Sequence, residues 1–245
     1  MSALRGAVGF LTRLPVASDG DDWTAFASAP WAFPVVGWLV GGLAALALLL
    51  PAPVVPLAYL VALLLLTGVN HFDGLADLGD AMVVHGDRET RRAVLKDSEV
   101  GVGAVLALGT ALVGIAFAGG ALARLPLQSA VVVVVASEVG AKLAMATLAC
   151  TGRASHEGFG SAFTDRCSAS DMPGPLLVAL PAMALVAVDG VTIPVVAATL
   201  AAPLAVGWWL QGWASTNLGG VNGDVFGAVN ELGRLAGLYA GILLV

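Results

Sequence analysis

An all-α, polytopic integral membrane helical bundle of about seven transmembrane helices is the fold class predicted by three observations. The chain is 58% hydrophobic and only 11% charged, and its mean hydropathy of +0.91 lies well above that of soluble domains. Its apolar residues are gathered into long blocks, and a hydrocarbon core about 30 Å thick needs roughly 20 such residues per helix. The charged residues fall between those blocks and mostly on one side of them. Seven apolar blocks in 245 residues leave too little polar surface to cover a soluble core. A β-barrel would instead show short segments of alternating polarity.

In chain order, the stretch 5–16, "RGAVGFLTRLPV", is too short to span and reads as an interfacial or re-entrant segment held by Arg5 and Arg13, without a clean signal-peptide cleavage pattern. The expected spans are 31–50, 55–70, 102–123, 129–150, 174–189, 192–213 and 225–245, of which the second and fifth are short. The intervening segments 1–30, 71–101, 151–173 and 214–224 then share one face. They carry Arg5, Arg13, Arg88, Arg91, Arg92, Lys96, Arg153 and Arg166, against Arg124 on the other face, so the positive-inside rule makes that face cytoplasmic. The expectation is one integral membrane domain over 1–245, in the cell membrane, with active-site loops 71–101, 151–173 and 214–224 facing the cytoplasm. Cys150 and Cys167 have no CxxC spacing, which argues against a disulfide framework or a thiolate zinc site. A net charge of −6 argues against a nucleic-acid partner. Membrane lipid is an expected partner, and the many small residues in the spans permit the close packing of a homo-oligomer.

The densest polar stretch is 69–103, "VNHFDGLADLGDAMVVHGDRETRRAVLKDSEVGVG". On a helix turning about 100° per residue, Asp73, Asp77 and Asp80 fall within roughly 60° of one another, near Asn70 and Asp87. Like charges so placed repel unless a cation or proton compensates them, and hard oxygen donors suit Mg²⁺ or Mn²⁺ better than zinc. The plain alternative is a juxtamembrane helix whose acids face water. Gly74 and Ala76 speak against it, because small residues let a ligand or another helix come close. Arg88, Arg91, Arg92 and Lys96, followed by Asp97 and Ser98, suit a phosphate-bearing substrate, the arginines as bidentate partners. As an alternative, the arginines anchor the loop to anionic lipid.

A second polar stretch, 216–238, "TNLGGVNGDVFGAVNELGRLAGL", falls on the same side. Its glycines permit tight turns and backbone approach to phosphate, Asp224 is a candidate N-cap, and Asn230, Glu231 and Arg234 run into a span where charge is costly. Glu231 and Arg234 are spaced to pair, and the stretch reads as the opposite wall of one cavity. Glu138 and Lys142, an i, i+4 pair inside the fourth span, read as a neutralised bridge. The loop 151–166 carries Arg153, His156, Glu157, Gly158 and Gly160 and is a candidate cover over substrate. His71, His85 and His156 are read as bystanders.

The succession "FLTRLPV", "FPVVG", "HFDGLAD" followed by "GD", "LKDSEVGVG" and "GGVNGDVFGA" resembles the cobalamin synthase, or adenosylcobinamide-GDP ribazoletransferase, family from about residue 5 to the last span. Leu95, Asn222 and Ala81 stand where the family usually has Met, commonly Thr and often Gly. The resemblance implies a membrane enzyme that joins adenosylcobinamide-GDP to α-ribazole or its 5′-phosphate, forming adenosylcobalamin or its phosphate and GMP, with Mg²⁺. Reading that reaction's needs onto the charge clusters makes Asp73, Asp77 and Asp80 the expected metal ligands, with Asp224 a candidate further ligand from the opposite wall, Asp97, Asp80 and Lys96 the candidate catalytic groups, and Arg91, Arg92, Ser98, Asn222 and Glu231 the candidate substrate-binding residues. The alternatives are a CDP-alcohol-type membrane phosphotransferase and a secondary transporter. For the latter the expected internal repeat is absent.

Overall fold

The computed structural model describes residues 2–245, and among them the secondary structure is helical apart from one isolated bridge. Two short helices, α1 (Ser2–Leu11) and α2 (Gly20–Ala27), come first. Asp19 starts α2 as a capping box with Asp22, and Asp22 in turn pairs with Arg5 of α1 at 2.9 Å. The linker then docks on the bundle, its Arg13 amide donating to the Leu66 carbonyl. The expected short, non-spanning amino-terminal segment is therefore α1 and its linker.

The bundle proper consists of α3 (Ala32–Ala45), α4 (Val55–Thr67), α5 (Asn70–Val83), α6 (Arg88–Val94), α7 (Val102–Leu122), α8 (Leu127–Thr151), α9 (Phe159–Thr164), α10 (Pro173–Ala179), α11 (Ile193–Asn217) and α12 (Gly223–Ile242). Five helical segments are long and apolar enough to cross a membrane: Ala32–Leu49, Val102–Leu122, Leu127–Thr151, Ala169–Ala187 and Ile193–Asn217. The pair α4 and α5 makes a sixth if counted together, but the chain bends by 98° between them. The expected count of seven is thus five to six, for two physical reasons. Gly68 takes φ +72° and ends α4 after 13 residues, leaving it shorter than a bilayer core. The last expected span, α12, carries Asn230, Glu231 and Arg234 in its middle, all fully buried, which lowers its apolarity below that of the outer helices.

Helix α8 is the axis of the fold. It packs against α3, α11 and α12, and nearly all of its length is covered by protein. The outer helices α7 and α11 instead present Val105, Leu106, Phe117, Ile193 and Trp208 outward, a surface suited to hydrocarbon. The segment 169–187 is built of α10 flanked by 3₁₀ turns, as expected where Pro173, Pro175 and Pro181 remove backbone donors. Because α5 turns away from α4 at nearly a right angle, it lies across one end of the bundle. There it meets α12 and α7.

Candidate active site

The acid-bearing face predicted for 73–80 is a helical face in the structure. Asp73 is exposed, while Asp77 and Asp80 are half-buried on α5. What the sequence pattern left open is what faces them. Gly74 packs directly on the backbone of Asp224, where an added Cβ would fall 2.7 Å from the Asp224 Cα. Gly227 packs likewise on His71, at 2.8 Å from its carbonyl oxygen. Two glycines, one on each helix, therefore bring α5 and the first turn of α12 into backbone contact. The helix start is fixed by Asn222, whose side-chain oxygen accepts from the Val225 amide and whose amide donates to the Asp224 carboxylate at 2.7 Å.

The electrostatics record this proximity. Burial, then the charges of Asp73 and Asp80, push the Asp77 carboxyl up to about 6. Burial, then Asp77, also push Asp224 up to about 6, with Asp73 adding to the rise and the Asn222 hydrogen bond opposing it. Among the described residues neither Asp73 nor Asp77 has an ion-pair partner, and no three His, Cys, Asp or Glu side chains are already gathered as a metal cluster. The donor set is nonetheless oxygen-only and uncompensated, which is the chemistry a hard divalent cation fits.

Asp80 is differently employed. Its two oxygens accept the amides of Gly101 and Ala104 at 2.8 and 2.9 Å, so it caps the amino terminus of α7 from a neighbouring helix. In doing so it fixes the end of the segment carrying Lys96, Asp97 and Ser98, all three exposed. Asp97 accepts the Glu99 amide at 3.1 Å.

The basic residues are turned to backbone carbonyls. Arg88 donates to Thr216 and Ser215 at the end of α11. Arg91 donates to Ala81 and Met82 at the end of α5 and lies over the Trp213 ring. Arg92 donates to Leu218 and Ser155, joining the loop after α8 to the loop after α11. The same two loops pair through Ser155 and Val221 and through Val221 and Arg153. All three arginines thus hold the site's loops together, and their cations stay at its rim.

Glu231 does not line the site. It is fully buried, bonded to Arg234 and to Asn230. Arg234 also binds Glu138, Glu138 lies 3.7 Å from Lys142, and Lys142 donates to the Asn230 side-chain oxygen. Two acids and two bases, all without solvent exposure, form one charge-balanced network between α8 and α12, and the Asn230 amide meets His71 Nδ1 at 3.2 Å. The Glu138–Lys142 bridge expected from sequence is part of it.

Above this network a cavity of about 270 Å³ opens beside the acids. Asn70, His71, Asp73 and Asp224 form its polar wall, and five phenylalanines, Met145, Gly223 and Gly227 form the rest. Sequence reasoning did not select these rings. Scattered phenylalanines carry no local signal, although Phe10, Phe33 and Phe226 stand inside the quoted motifs and Phe159 and Phe163 inside the candidate cover loop.

The cobalamin-5-phosphate synthase family model matches residues 3–242. The chain belongs to this family. Among its relatives, the adenosylcobinamide-GDP ribazoletransferase of Halorubrum lacusprofundi is 50% identical, covering 99% of this chain and 97% of its own. The enzyme of the same name from Haloquadratum walsbyi is 41% identical over 100% and 98%, and that of Thermococcus onnurineus 30% identical over 99% and 96%. No solved structure matches. Membership in this transferase family sets aside the CDP-alcohol phosphotransferase and the transporter readings.

Proposed function

We propose that this protein is an adenosylcobinamide-GDP ribazoletransferase, acting in the cell membrane with its site facing the cytoplasm. The observation that carries the reading is the carboxylate wall of Asp73, Asp77 and Asp224, made by two helices in backbone contact at Gly74, with Asp73 and Asp224 opening on a cavity of about 270 Å³. In the reaction, a ribose hydroxyl oxygen of α-ribazole or of its 5′-phosphate, one other than the 5′ oxygen that the phosphate occupies, forms a bond to the cobinamide-side phosphorus. The bond from that phosphorus to the bridging oxygen breaks, and GMP leaves with the electron pair. The hydroxyl proton passes to a carboxylate at this end of the bundle, for which Asp73, Asp77, Asp80, Asp97 and Asp224 are the candidates.

Asp73, Asp77 and Asp224 would hold Mg²⁺, with Asp80 contributing a second lone pair from an oxygen already bonded to an amide. A divalent ion bound there would supply positive charge against the pyrophosphate. Lys96 and Ser98, exposed on the segment that Asp80 anchors, reach toward phosphate oxygens, and Arg91 and Arg92 hold the loops over the site while lending positive potential. Asn222 orients Asp224. Glu231 acts from below through Asn230 and His71.

The test is GMP release by the purified, detergent-solubilised protein given adenosylcobinamide-GDP and α-ribazole, with and without Mg²⁺. Metal-dependent release coupled to cobamide formation is the expected result. Folded protein that turns over neither α-ribazole nor its 5′-phosphate with any divalent ion overturns the proposal.

A further inference from the structure

Three histidines occur in the chain, and the fold sets one of them apart. His71 is buried between the inner ion network and the cavity, and its neighbours leave its ring a single arrangement. The constraint begins at Lys142. An ammonium group carries donors only, so the Asn230 side chain turns its oxygen toward Lys142 Nζ. The Asn230 amide nitrogen therefore points away from Lys142, donating to Glu231 Oε1 at 2.8 Å and facing His71 Nδ1 at 3.2 Å. Both of its protons are then in use. Glu231 Oε1 lies 3.9 Å from Nδ1, too far to accept a proton from that ring nitrogen. Nδ1 thus meets a donor and no acceptor, so it presents a lone pair and the ring proton is on Nε2.

Nε2 is on the far side of the ring from Nδ1, and His71 lines the cavity wall with Asn70, Asp73 and Asp224. Ionised carboxylates only accept hydrogen bonds, so Asp73 and Asp224 offer ligands to a cation but nothing to an anionic oxygen. Beside the Asn70 amide, the imidazole Nε2–H is the side-chain donor on that wall, and its direction is fixed from behind. The same proton takes His71 out of the ligand set, because a ring nitrogen binds a metal through its lone pair.

We propose that His71 is a hydrogen-bond donor of the site, its Nε2–H bonding a phosphate oxygen of the bound substrate, and that Asn230, oriented by Lys142, is the positioning residue that fixes this tautomer. This rests on the ribazoletransferase reading. The inner network then does more than neutralise its own charges. Through one buried amide it sets the direction of a hydrogen bond in the cavity above it.

The experiment compares His71→Asn with His71→Gln and reads the tautomer directly. An Asn amide reaches about where Nδ1 lies and a Gln amide about where Nε2 lies, so each variant keeps one side of the ring. His71→Asn is expected to lower kcat/KM for GMP release at least about tenfold, the loss of one hydrogen bond to a charged oxygen, and His71→Gln to recover most of that loss. A residue that only packs against Asn230 predicts the reverse order. That order, or equal rates in the two variants, overturns the proposal. In ¹⁵N NMR of histidine-labelled protein in detergent, wild-type His71 is expected to show a bare Nδ1 and a protonated Nε2. Asn230→Asp, which sets an acceptor against Nδ1, is expected to move the proton there. A protonated Nδ1 in the wild type, an unmoved proton in Asn230→Asp, or an Nε2 that loses its proton when Mg²⁺ is added overturns it. If the wild type releases no GMP, the activity reading fails by itself. Wild-type spectra with Mg²⁺ and inorganic pyrophosphate then still decide the donor role, as they do if the variants fail to fold: a shifted Nε2 resonance supports it, and an unshifted one overturns it.

Discussion

Two charged regions of this protein share helix α12, one closing on α8 and the other on α5, and they obey opposite rules. Deep in the bundle, Glu138, Lys142, Glu231 and Arg234 are completely buried and completely paired. At the bundle end, Asp73, Asp77 and Asp224 are partly open to solvent, all of one sign, and without a basic partner. In an apolar interior an unpaired charge is too costly to keep, so every member of the inner network has its counterion. The outer acids are held near one another by packing at Gly74 despite their repulsion, the arrangement on which the proposed cation site rests. Pairing marks the part that builds the bundle; its absence marks the part proposed to bind.

The sharpest way to break this contrast is to truncate one acid of each kind. Asp73→Ala is expected to lower turnover by about 10²–10³-fold, the usual loss on removing one electrostatic stabiliser, while thermal stability holds. An Asp73→Ala protein that folds, inserts and keeps full turnover removes the metal assignment. Arg234→Met is expected to do the reverse, costing about 3–5 kcal/mol because Glu138 and Glu231 are left buried and unpaired. Denaturation in detergent measures this, and adding Glu138→Gln and Glu231→Gln to the same chain should recover part of the loss.

Gly74→Ala probes the contact between the helices. Its Cβ would sit 2.7 Å from the Asp224 Cα, so α5 and α12 must separate, at about 1–3 kcal/mol. Turnover and Mg²⁺ dependence are expected to suffer beyond what the fraction of folded protein explains, and an unchanged Mg²⁺ titration would show that the acids do not act together.

The smallest expected effect is on pH dependence. Asp77 titrates near 6 in the fold against 3.8 ordinarily, so the folded state holds its proton longer. In metal-free buffer that group therefore subtracts stability as pH rises from about 4 to 6, and the deficit persists above 6. Asp77→Asn is expected to melt with the wild type at pH 4 and above it at pH 7, with Mg²⁺ narrowing the gap at pH 7. A difference that does not vary with pH would mean that Asp77 is not under the pressure of its neighbours.

Much of this architecture was written locally. Apolar blocks of membrane length, the acid stripe of Asp73, Asp77 and Asp80, and the glycine-rich approach to Asp224 are each properties of consecutive residues, and helical periodicity alone converts them into spans and a face. Tertiary structure decided the rest, because it depends on closure between segments far apart in the chain. The 98° turn at Gly68 laid α5 across the bundle end and reduced the span count. Packing at Gly74 set Asp224 opposite Asp73 and Asp77, helix-end carbonyls took up Arg88, Arg91 and Arg92, and the interior drew Glu231 into an ion-pair network. Five phenylalanines from four helices became one wall only there. Periodicity states which way a side chain points from its own helix, and only the packed fold states what it meets.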